Sequence, residues 1–95
     1  MELRESFRAP FLQMAWQRHT RVVELLAREG PSELRSAAGE LHCLSGEASM
    51  LDFQNVAELA RVAEKAARDN DRPLLTKLVS DLREAIKAVE PEGSS

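Results

Sequence analysis

The sequence predicts an all-α domain, built as an up-and-down antiparallel four-helix bundle. Ala, Leu, Glu and Arg, all strong helix formers, dominate the chain. Aromatic residues make up only 4% and tyrosine is absent, which argues against a β-sandwich or barrel. Apolar residues recur at helical spacing in four stretches separated by short, breaker-rich joints. A length of 95 residues allows one hydrophobic core and not two, so the four stretches share it. Short joints between amphipathic helices make neighbours antiparallel.

The first stretch runs from about Phe7 to Glu29, with Phe11, Ala15, Val22 and Leu26 on one face and Leu12, Val23 and Leu25 widening it. Pro10 suits only a helix start, and Gly30-Pro31 supplies a left-handed cap followed by a residue that cannot continue the ladder. The second stretch opens on Ser32 as N-cap with Glu33 in its first turn, and carries Leu34, Ala38, Leu41, Leu44, Ala48 and Leu51. After a joint at Asp52-Phe53, the third presents Val56, Leu59, Ala60, Ala63 and Ala67 and stops near Asp69-Asn70. The fourth is capped by Asp71, has Pro73 in its first turn, and bears the strongest stripe, from Leu75 through Leu82 to Val89. Residues 1–90 are expected to form the domain. The ending Pro91-Glu92-Gly93-Ser94-Ser95 has nothing to bury and reads as a disordered tail or the start of a linker, which favours excision from a larger chain.

Composition narrows the function. With 13 basic against 16 acidic residues the net charge is −3, so no basic excess exists to neutralise a nucleic-acid backbone. No apolar run approaches the ~20 residues that span a bilayer, and no signal-peptide pattern opens the chain. The lone Cys43 cannot form an internal disulfide. Together these point to a cytoplasmic domain without membrane or nucleic-acid partners.

Two histidines occupy different faces. At ~100° per residue, His19 falls inside the stripe of Leu12, Ala15, Val22 and Leu26, as expected of a core-edge histidine satisfied locally. His42 points about 100° away from Leu41, toward solvent or a helix seam. Arg35, Gly39, Ser45, Gly46 and Ser49 share its surface, and Glu33, Glu40 and Glu47 lie opposite. Each of the two glycines costs a helix about 1 kcal/mol relative to alanine. Either clearance for another protein or close helix packing would account for them. Cys43 projects a further ~100° round the helix, out of register for a ligand pair with His42, so no metal site or nucleophile–base pair is recognisable.

The run Leu41-His42-Cys43-Leu44-Ser45-Gly46-Glu47-Ala48-Ser49-Met50-Leu51-Asp52-Phe53 resembles the active-site helix of histidine phosphotransfer domains, especially the phospho-accepting domain of chemotaxis-type histidine kinases. His42 takes the phosphoacceptor position, Leu44 the hydrophobic one and Gly46 the glycine, while Leu51 and Phe53 match the turn that follows. Glu64 falls where those kinases place a glutamate that hydrogen-bonds the histidine and orients it. Ser45 stands in place of the usual lysine and Asp52 in place of the usual glycine; Arg35, Arg61 or Arg68 would then supply positive charge.

The resemblance implies a phosphorelay carrier that takes a phosphoryl group on His42 and passes it to a receiver aspartate. Its partners would be a response-regulator receiver and a histidine kinase catalytic domain. Such a carrier is a relay intermediate and not an enzyme in its own right, and needs no cofactor: magnesium belongs to the receiver and nucleotide to the kinase. Two other readings stay open, a docking bundle that binds a receiver or kinase without phosphotransfer, and a structural helical oligomerisation domain.

Overall fold

Four helices, α1 (Leu3–Leu26), α2 (Pro31–Met50), α3 (Gln54–Arg68) and α4 (Arg72–Val89), make up the architecture in a computed structural model. It describes residues 3–28 and 30–90, with side chains from residue 6 onward, and no strand occurs among them. The tail 91–95 lies outside the described residues. Each helix packs on its sequence neighbours and α1 closes the ring against α4, giving the antiparallel up-and-down bundle.

The core follows the four stripes. Leu41, Leu44, Leu75, Leu82, Ile86, Val22 and Val56 are the largest side chains fully removed from water, and Phe11 and Phe53 are nearly so. The face that α3 offers is narrower in volume, with Ala57, Ala60, Ala63, Ala66 and Ala67 all buried, so α2 and α3 approach closely. Leu59, expected in that stripe, is only half-buried, because Ala57 and Ala66 take the inward positions.

Helix ends depart from the expected chemistry in instructive ways. α1 begins at Leu3, so Pro10 sits inside it and removes one backbone bond of the ladder. α1 stops at Leu26, and Arg72 of α4 donates to the carbonyls of Leu26 (3.3 Å) and Arg28 (3.2 Å), which the helix end leaves open. Gly30 is extended (φ 169°) and serves as N-cap of α2; Ser32 bonds Glu33 and caps nothing. Asp71 does cap α4, accepting from the Leu74 amide at 3.2 Å.

The joints after α2 and α3 share one construction. Phe53 N–H reaches back to the Ala48 carbonyl (2.8 Å) and Asp71 N–H to that of Ala66 (2.9 Å), across Asp52 (φ 64°) and Asn70 (φ 58°) in the left-handed region. Both are Schellman closures. Left-handed backbone favours glycine, and Asp is among the few other residues that tolerate it, as Asp52 does here. Phe53 then stacks on Phe11 of α1 with ring centroids 4.8 Å apart, fixing where α3 starts relative to α1.

Candidate functional site

His42 lies midway along α2 with its side chain 71% exposed, above the seam with α3. Its Nδ1 is 3.3 Å from Glu64 Oε1. An ionised carboxylate only accepts hydrogen bonds, so a neutral imidazole must carry its proton on Nδ1. Nε2, with its lone pair, is then left without a proton.

His19 adopts the opposite tautomer. It is buried, its Nε2 lies 2.9 Å from the Val79 carbonyl of α4, and its ring meets Trp16 edge-on. A carbonyl also only accepts, so here Nε2 holds the proton and is unavailable for chemistry. His19 therefore ties α1 to α4, a link extended by the Trp16 indole N–H donating to Glu90 at 3.1 Å.

Around His42 the surface is bare on one side and charged on the other. A Cβ built at Gly39 or Gly46 meets nothing within 4 Å, so close helix packing does not require either glycine. Ser45 is half-buried and donates its hydroxyl to the His42 carbonyl at 2.8 Å, a back-bond within the helix that keeps it off the ring.

The structure brings His42, Glu64, Ser45 and Gly46 together and leaves Arg35 and Arg61 apart. Arg61 pairs with Glu58 (2.5 Å), Lys65 with Asp69 (2.8 Å), and Arg68 with Glu64 (2.8 Å). Arg35 is exposed, with no hydrogen bond or ion pair among the described residues. Helical side chains lean toward the N-terminus, so Arg35, two turns before His42, tilts away from it.

Two features of this region were not foreseen. Arg18 of α1 reaches across to α2, with Nη1 donating to Glu40 (2.9 Å) and Nε and Nη2 both donating to Glu47 (3.0 Å). Glu47, then Glu40, hold its guanidinium well above the ordinary arginine value against the opposing effect of partial burial. The other feature is an apolar groove between the same helices, lined by Phe7, Met14, Met50 and Leu51, with Met50 83% exposed. Its sequence signal was an apolar residue outside the stripe at Phe7, Met14 and Met50.

The chain matches the family model of the Hpt domain over residues 6–92. It belongs to the Hpt family. No curated protein and no solved structure matches it. Hpt domains carry phosphoryl groups on histidine in two-component signalling, between histidine kinases and receiver domains. No described helix of this Hpt domain is long and apolar enough to cross a membrane. Among the described residues no group of His, Cys, Asp and Glu side chains is arranged to hold a metal ion.

Proposed function

We propose that His42 is the phosphoacceptor and that the chain relays the phosphoryl group to a receiver aspartate. The observation that carries this reading is the pairing of an imidazole 71% exposed with Glu64 through Nδ1, which leaves Nε2 without a proton. The Nε2 lone pair attacks phosphorus, an N–P bond forms, and the P–O bond to the donor breaks. The donor oxygen leaves with the bonding pair, and Nδ1 keeps its proton against Glu64. Onward transfer reverses the roles: an aspartate oxygen attacks and the imidazole leaves.

A partner that brings an aspartyl phosphate to Nε2 must cover the surface around it. His42, Gly46 and Met50 follow one another at four-residue spacing and lead from the imidazole to the groove of Phe7 and Met14. A receiver seated there buries apolar side chains next to the transfer site while the two glycines admit its approach. The likeness of the active-site helix to chemotaxis-type kinases makes a kinase catalytic domain a fitting donor. A phosphorylated receiver or kinase mixed with the chain is expected to lose label to it, and His42→Gln to abolish this with the helical signal intact. Binding without label transfer would move the chain to the docking-bundle reading.

A further inference from the structure

We propose that Arg68 is a positioning residue for His42, acting through Glu64. The inference rests on His42 being the reacting group, as argued above. Glu64 divides its two oxygens between two partners: Oε1 faces His42 Nδ1 at 3.3 Å, while Oε2 accepts from Arg68 Nε at 2.9 Å and Nη2 at 2.8 Å. The contact to the imidazole is long for a charge-assisted bond, and the ring it holds is largely in water. Such a contact cannot by itself fix a carboxylate that rotates about three side-chain bonds. The forked grip of Arg68 on the other oxygen does so.

Burial points the same way. Glu64 is only 15% exposed and forms the floor of the seam, whereas Arg68 is 56% exposed and closes over it from the solvent side. The remaining cations on this helix are held elsewhere, Arg61 by Glu58 and Lys65 by Asp69. An i, i+4 Glu–Arg pair with the acid first also supports a helix, and Arg68 in the last turn favours the dipole. Helix support alone, however, is indifferent to which oxygen Arg68 takes, and it leaves His42 untouched.

The test reads the imidazole directly. In wild-type protein at a pH where the ring is neutral, nitrogen-15 spectra are expected to show His42 with its proton on Nδ1. Arg68→Gln shifts His42 toward the Nε2–H form, as does Glu64→Gln, and Arg68→Gln adds nothing further in the Glu64→Gln background. Arg68→Lys keeps the charge without the fork and falls between. Phosphorylation by phosphoramidate, a small-molecule donor that needs no protein partner, slows several-fold in Arg68→Gln. An Arg68→Gln protein with an unchanged His42 tautomer and unchanged uptake overturns the role of Arg68. If wild-type His42 takes no phosphoryl group from phosphoramidate or any protein donor, the acceptor assignment falls. The tautomer shift is then still observed or not, and so judges Arg68 separately.

Discussion

Replacing Gly46 with alanine tests two parts of the argument at once, because fold and function are expected to move in opposite directions. The added Cβ meets nothing within 4 Å, so it introduces no clash and the helix gains the full propensity difference, about 1 kcal/mol. Unfolding entropy of about 2.1 cal/mol/K per residue over 95 residues turns this into a rise in Tm of about 5 °C. Gly39→Ala is expected to do the same, and the two sites, two turns apart, to add to roughly 10 °C. The methyl at 46 stands where a docking partner is brought against α2. Overpacking a tight contact costs about 1–3 kcal/mol, or roughly 5- to 150-fold in transfer rate. Thermal melts followed by helical circular dichroism, with initial rates of label transfer from a phosphorylated receiver, measure both. A less stable Gly46→Ala protein would show that the glycine serves packing within the bundle. A more stable protein with undiminished transfer would show that no partner needs the space.

Other substitutions probe the charges and the turns. Ser45→Lys places an ammonium that leans over His42, and is expected to speed phosphoryl uptake several-fold, less so at high salt; an unchanged rate would mean charge at this position is dispensable. Arg18→Ala unties Glu40 and Glu47 and is expected to lower stability by about 1 kcal/mol in urea unfolding, most at low ionic strength. Asp52→Gly relieves a left-handed residue and is expected to stabilise by about 0.5–1 kcal/mol, seen as a higher urea midpoint with an unchanged slope.

The bundle was legible because each stripe is a property of one helix. The positions of Val22, Leu41, Leu75 and Leu82 follow from spacing, and so does the division between an inward His19 and an outward His42. Asp71 was legible as a cap because capping is local. What escaped depends on how one helix is set against another. Arg18 meets Glu40 and Glu47 only because α1 and α2 share a register, and nothing in either periodicity records it. The open carbonyl at the end of α1 is satisfied by Arg72, more than forty residues away along the chain. Arg68 reads on a wheel as a free cation near His42, yet Glu64 claims it, since two long side chains one turn apart find each other before either finds the ring. The seam of His42 and Glu64 was foreseen through family resemblance and not through periodicity, which placed the histidine only on a side of its helix.

The central claim is that phosphate goes to His42 and nowhere else. Intact-protein mass spectrometry after incubation with a phosphorylated kinase mixture, on wild-type, His42→Gln and His19→Gln proteins, tests it most directly. The account predicts a gain of one phosphoryl group that is acid-labile and base-stable, present in wild type and in His19→Gln and absent from His42→Gln. A phosphoryl group retained by the His42→Gln protein, or none gained by a folded wild type from a donor proven active, would contradict it.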